Sequence, residues 1–302
     1  MAQKPGVRGG SYLANFRYST LSLLDQAGIV DYQGVPKYTD GAFKVKLPTT
    51  RFGTFSLFGL GGRSSIAQED RGVMEDSLFA RSDYGSRMGV VGLAHTLLLG
   101  ENSYLRSTAS IGGSGSSVDF EETEAPGELP LELHEQGDLA RWTVRFSTTL
   151  NTRMSARHKL RSGVIVSVDD YRMTYAYFDH EEQRMLTSLN STGSATTAQA
   201  FSSWKWRMNE QLTLTSGVHF LHHALSGSSS VEPRLGLRYQ AKPNQAFTFG
   251  GGLHARTEAV TTYLAQRTDA AGNTDRPNTN LGLTRAAHAV FGYERQLAED
   301  VQ

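Results

Sequence analysis

The sequence predicts an all-β fold, an antiparallel up-and-down meander of about twelve strands, and three observations carry that reading. Apolar and polar residues alternate with a period of two in segment after segment, whereas helical periodicity is nearly absent. The alternating segments run to about 9–18 residues, longer than globular strands of about 5–6. Their connections alternate between short polar turns and long polar stretches. Together these describe the wall of a transmembrane β-barrel, in which tilted strands of about 9–11 residues cross hydrocarbon and every backbone group pairs within the sheet.

The first strand is expected over residues 11–18, where Tyr12, Ala14, Phe16 and Tyr18 oppose Asn15 and Arg17. The next is 41–49, with Phe43, Val45 and Leu47 set against Lys44 and Lys46, and 52–61 and 87–100 follow. The pattern is clearest where Trp142, Val144, Phe146, Thr148 and Leu150 oppose Thr143, Arg145, Ser147, Thr149 and Asn151. Leu160, Val164, Val166 and Val168 then oppose Arg161, Ser167 and Asp169, and Trp204, Trp206 and Met208 oppose Ser203, Lys205 and Arg207. Leu212, Leu214, Val218 and Phe220 face away from Thr213, Thr215 and His219. Leu235, Leu237 and Tyr239 alternate with Arg234, Arg238 and Gln240. Two further segments, around Phe247–Ala255 and Ala287–Tyr293, extend the meander to residue 296.

Short turns are expected at 49–51, 101–103, 155–157, 209–210 and 242–244, and long loops at 19–40, 62–86, 120–137, 178–196, 224–230 and 257–283. Only residues 20–29 read as helical, inside the first long loop. Trp204, Trp206, Tyr239, Phe247 and Tyr293 fall near the short turns on the apolar face, where an interfacial aromatic girdle belongs. Gly217, Gly236, Gly250 and Gly252 fall on the opposite face, where small residues ease curvature. One curved sheet with neighbour-to-neighbour pairing is expected, with Trp142, Val144, Phe146, Trp204 and Trp206 all on its convex side.

Composition narrows the function. The 302 residues carry 30 Lys+Arg and 30 Asp+Glu, so the net charge is zero and the basic excess needed to bind nucleic acid is absent. Cysteine is absent, which removes disulfides, thiolate metal sites and a Cys nucleophile. Mean hydropathy is −0.38. The longest apolar run, Met88 to Gly100, is broken by His95 and Thr96, so no helix of about 18–20 apolar residues can form. The amino terminus lacks the apolar core of a signal peptide; given the barrel pattern, the expectation is that Met1 is not the natural start. A soluble β-sandwich or propeller also alternates, but no propeller repeat of about 40–45 residues recurs.

Several segments resemble, in order, the barrel of TonB-dependent outer-membrane receptors of the Bacteroidetes type that carry a carboxypeptidase-regulatory-like domain. They are Gly10–Thr20, Phe43–Thr49, Gly53–Gly62, Ala156–Gly163, Trp204–Thr213, Ser230–Tyr239 and Phe249–His254. The resemblance implies a β-barrel in the bacterial outer membrane that imports a bulky nutrient such as a siderophore, vitamin or glycan. It also implies outer-membrane lipid, a plug domain and the TonB energy complex as partners. The family barrel has about 22 strands. Residues 1–302 supply about twelve, with no recognisable plug domain and a polar end at Glu299–Gln302, so they are expected to form a partial, incomplete barrel. A self-contained outer-membrane barrel acting as adhesin or small channel is the alternative, and pairing of 11–18 with 284–296 would mark it. A soluble carbohydrate-binding β-sandwich is the second alternative.

Arg145, Lys205, Arg207, Arg234 and Arg238, with His219 and His254, fall on the polar face and are the candidate substrate-binding residues of an inner surface. The long loops 62–86, 178–196 and 257–283 are expected to capture ligand. His219, His222 and His223 lie within five residues, but only His219 clearly takes the polar face, so no metal or cofactor is expected there. Residues 119–138 hold eight carboxylates and no Lys or Arg, and without an EF-hand spacing they read as a solvated acidic loop. Ser202 and Lys205 have an S-x-x-K spacing, yet on a strand they point to opposite faces. Gly59–Arg63 and Gly112–Gly115 lack the strand-to-helix setting of a phosphate loop. No catalytic constellation is found, and the chain reads as a non-enzyme.

Overall fold

The computed structural model describes residues 9–19, 21, 23–24, 27–29, 34–71, 78–123, 131–268 and 273–296. Its strands are β1 (Ser11–Tyr18), β2 (Lys37–Pro48), β3 (Thr54–Arg71), β4 (Leu78–Leu98), β5 (Ser103–Glu122), β6 (Glu132–Arg153) and β7 (His158–Asp179). There follow β8 (Arg184–Arg207), β9 (Leu212–His223), β10 (Ser228–Lys242) and β11 (Gln245–Arg256). A one-turn helix α1 (Val260–Leu264) and the two-residue strands β12 (Arg267–Thr268) and β13 (Thr274–Asp275) precede β14 (Thr284–Arg295). The helix expected at 20–29 lies partly outside the described residues.

β1 through β11 and then β14 form one twelve-stranded sheet in which each strand pairs antiparallel with its chain neighbours, while β12 and β13 make a separate ribbon. The five short turns fall where expected. At 49–53, Thr49 N–H donates to the Gly53 carbonyl at 2.8 Å, and Gly53 takes φ +78°, a conformation a side chain resists. The Asn209 side chain accepts from the N–H groups of Gln211 and Leu212 at 2.9 and 2.7 Å, an Asx-turn that closes β8 onto β9.

The ladder fixes the faces, because directly paired residues share a side. Phe43, Gly59, Val91, Ile111, Val144 and Val168 form one continuous cross-strand row. The next row carries Val45, Leu57, Leu93, Ala109, Phe146 and Val166. Trp142, Trp204 and Trp206 belong to this same face, and Trp206 lies opposite His158. The apolar face is uncovered: Val144 is 55% exposed and Ile111 52%. Among the described residues no second layer packs against it, which overturns the sandwich alternative. Water-soluble monomers rarely leave apolar rows of this extent uncovered.

Aromatic rings cluster on this face by the short turns. Trp204 and Trp206 stack at 5.4 Å and His158 joins them, while Phe247 lies 5.0 Å from Tyr293. Gly217, Gly236, Gly250 and Gly252 take the polar face as expected. A different set does not: Gly41, Gly61, Gly89 and Gly113 pair in one row across the apolar face. They floor a trough of about 620 Å³ walled by Phe43, Val91, Ile111 and Trp142. The Phe43 ring lies where a Cβ of Gly59 would stand, and Trp142 leans over Gly113 in the same way.

Five loop expectations need correction. Residues 62–86 and 178–196 are largely strand: β3 runs to Arg71, β4 begins at Leu78, β7 reaches Asp179 and β8 begins at Arg184. Likewise β5 extends to Glu122, β6 starts at Glu132, β2 starts at Lys37 and β10 at Ser228, so the loops at 120–137, 19–40 and 224–230 are shorter than read. Along these extensions the face that is apolar nearer the short turns becomes polar, while the opposite face mixes Tyr171, Met173 and Leu189 with polar residues, so the signal of one uniformly apolar side is lost there. The backbone ladder and same-side ion pairs two residues apart hold them instead, such as Glu69–Arg71 at 2.7 Å and Arg81–Asp83 at 2.8 Å.

The 257–283 stretch is a loop, and part of it folds back. Tyr263 and Leu264 of α1 are fully buried against Tyr171, Met173, Leu189 and Ala195 of β7 and β8. No side chain caps α1, so this packing is what holds it. Gln266 completes the strap, accepting from the Asn190 N–H at 3.1 Å and donating to the Asn190 carbonyl at 3.5 Å. Among the described residues, β1 pairs only with β2 and β14 only with β11, so the pairing of 11–18 with 284–296 that would mark a self-contained barrel is not made.

Candidate functional site

The polar face of β8–β10 holds the most buried carboxylate of the described chain, Glu232, at 1% exposure. A carboxylate withdrawn from water must be compensated by charge or hydrogen bonds, and here two neighbours do so. Arg234 Nη2 sits 2.7 Å from Oε2, and Ser230 Oγ donates to Oε1 at 2.9 Å. His219 Nδ1 lies 3.1 Å from the same Oε1, without hydrogen-bond alignment. The other side of that ring, Nε2, meets Gln199 Oε1 at 3.1 Å. The strand period explains the grouping: Ser230, Glu232 and Arg234 are successive same-side residues of β10, and the register sets His219 directly across from Glu232.

His254 shares a small cavity of about 240 Å³ with Glu232, and its ring meets that of His288 edge-on at 5.0 Å. Of the residues singled out in the sequence, then, the structure gathers His219, Arg234 and His254 around Glu232. The other four lie on the same face but apart. Arg238 is engaged by Glu294, its Nη1 and Nη2 at 3.0 and 2.9 Å from the two carboxylate oxygens. Lys205 stands opposite Lys159 and Arg207 opposite Thr213, both beside a short turn. Arg145 lies between Ser110 and Ser167. A single continuous basic stripe is therefore not formed: acids take up Arg234 and Arg238, while Arg145, Lys205 and Arg207 have no ion pair among the described residues.

Glu232 was missed in the sequence, although its place two residues before Arg234 puts both on one face by the same alternation that identified the arginine. His222 points to the apolar side, paired with Ser229, and His223 is buried beneath Tyr263 at a ring separation of 5.0 Å. A second cluster escaped the sequence reading altogether. Glu122, His134 and His180 bring one donor atom each to within 4.8 Å of one another at the loop ends of β5, β6 and β7.

No family profile matches this chain, and no curated protein matches it. Solved structures do. The copper transporter OprC superposes with a TM-score of 0.64 at 10% identity, over 95% of this chain and 46% of its own. The Serratia marcescens hemophore receptor HasR, solved with its hemophore HasA and heme, gives 0.64 at 12% identity over 95% and 47%. The Escherichia coli outer-membrane transporter YddB gives 0.61 at 9% identity over 89% and 39%. The chain thus spans less than half the length of these structures. Its fold is that of part of the barrels of these transporters and receptors, the partial meander expected from the sequence.

Proposed function

We propose that this chain forms part of the wall of a bacterial outer-membrane transport barrel of the TonB-dependent type, which imports a bulky nutrient and catalyses no reaction. The carrying observation is the division of one unlayered sheet into an uncovered apolar face and a polar face across strands long enough to span a bilayer. On this reading the apolar face meets lipid, the short turns face the periplasm, and the extended strand ends project outward. The polar face then lines an inner passage. Strand edges left open in hydrocarbon would strand unpaired backbone groups, so further strands complete the wall. A plug domain in the passage, moved by the TonB energy complex, would gate it.

Within the passage, Arg145, Lys205 and Arg207, which make no ion pair among the described residues, are offered to an anionic ligand or to plug carboxylates. The Glu232 cluster with His219, Arg234 and His254 offers paired donors and acceptors for polar groups of a siderophore, vitamin or glycan. Single-cysteine labelling tests the division of faces, because the chain has no native cysteine. In cells carrying the protein in the outer membrane, Val144→Cys should resist a membrane-impermeant maleimide, and its neighbour Thr143→Cys should react. Equal labelling of both, or recovery of the chain in the soluble fraction, would remove the proposal.

A further inference from the structure

We infer that Glu122, His134 and His180 form a binding site for a divalent transition-metal ion of the zinc class, which ties together the loop ends of β5, β6 and β7. Each ligand comes from a different element. Glu122 is the last residue of β5, His134 lies near the start of β6, and His180 is the first residue beyond β7. The β5–β6 ladder pairs Phe120 with Glu135 and then Glu121 with Leu133, leaving His134 as the extra residue of a bulge. Bulges re-aim a side chain out of the ladder, and this one turns the imidazole onto Glu122, with Nδ1 2.8 Å from Oε1. The Phe178 ring packs on both imidazoles, 4.6 Å from His134 and edge-on at 5.3 Å from His180. The two histidine rings stand 5.5 Å apart.

The ligand set selects the metal. Two imidazoles and one carboxylate suit zinc and its first-row neighbours, with bonds of about 2.0–2.2 Å, whereas calcium and magnesium require oxygen donors throughout. Donors around a tetrahedral ion at those lengths lie about 3.3 Å apart, so atoms within 4.8 Å of one another need to close by at most about 1.5 Å, within reach of side-chain rotation. His180 is exposed and can make that movement, while the His134 side chain is 12% exposed and held. Electrostatics points the same way. Glu132 lies directly across the ladder from Glu122, and like charges facing each other across a strand pair are destabilising until a cation is shared. With three protein ligands the ion keeps an open position for water or for a donor atom of an incoming molecule. This inference does not depend on the transport reading, since it needs only the three strand ends.

The test is calorimetric titration of the full chain, folded in detergent micelles, with zinc chloride and separately with calcium chloride. One equivalent of zinc should bind saturably and calcium should not compete. His180→Ala, at an exposed turn residue outside the sheet, should weaken zinc binding by on the order of 10–100-fold with the circular-dichroism strand signal unchanged. Cobalt added in place of zinc should give the intense visible bands of a low-symmetry four-coordinate site, and these should vanish in His134→Gln. Absence of saturable zinc binding, or binding unaltered in a His134→Gln/His180→Ala double variant, overturns the site. Failure of the cysteine-labelling experiment would leave it untouched.

Discussion

The two ends of the long strands β4 to β8 share one unbroken hydrogen-bond ladder but solve different problems. Toward the short turns, one face is apolar and uncovered, the other polar, and glycine and aromatic residues interlock across neighbouring strands. Toward the long connections that apolar face becomes polar, ion pairs form along the strand, and the described hydrophobic core sits on the opposite face beneath α1. Backbone pairing alone therefore does not set the character of a strand; the side chains at each height do. On the proposed reading, hydrocarbon covers the apolar face of the lower half, toward the short turns. In the upper half the sheet is stabilised by its own side chains.

Substitutions can break that contrast at graded cost. The largest effect is expected in the upper half, where Tyr263→Ala empties the fully buried anchor of α1 and should cost about 3–5 kcal/mol of local stability. It should appear as proteolytic nicking within 257–283 and faster hydrogen exchange at 189–195, with the lower half unchanged. Second is Val144→Arg on the apolar face, which should lose about 2–4 kcal/mol in urea unfolding from bilayers while Thr143→Arg on the opposite face loses little. Equal losses at the two positions would erase the distinction between the faces.

Third, Glu232→Gln removes the charge that compensates Arg234 and approaches His219, for about 1–3 kcal/mol. Adding Arg234→Gln should recover part of that loss in a double-mutant cycle. The smallest change is expected for Asp83→Asn. Its pair with Arg81 is 46% and 43% exposed, so the loss should stay below about 1 kcal/mol and fade as salt is raised.

What could be read from sequence divides along the same line. Where one face is apolar, alternation located the strands, the turns and the sidedness of residues such as Trp142 and Arg234. Where both faces are polar, as from Arg63 to Glu69, nothing periodic distinguishes a ladder from a loop. The burial of Tyr263 was out of reach for another reason: five residues are too few to show a helical period, and its partners lie about 70–90 positions earlier in the chain. His219, Arg234 and His254 were legible as one side of a sheet, but their gathering point was not, because a lone acidic residue in an alternating segment looks like any other solvated position. Glu122 and His134 fell in a stretch whose acidity read as loop, and the bulge that turns His134 onto Glu122 leaves no mark in the alternation.

The two open margins of the sheet also carry a rule of counting. Twelve strands that reverse direction at every step leave β1 and β14 running in opposite senses. Any set of consecutively antiparallel strands that joins those margins must arrive in even number, as whole hairpins. An odd complement would force one parallel seam into the wall.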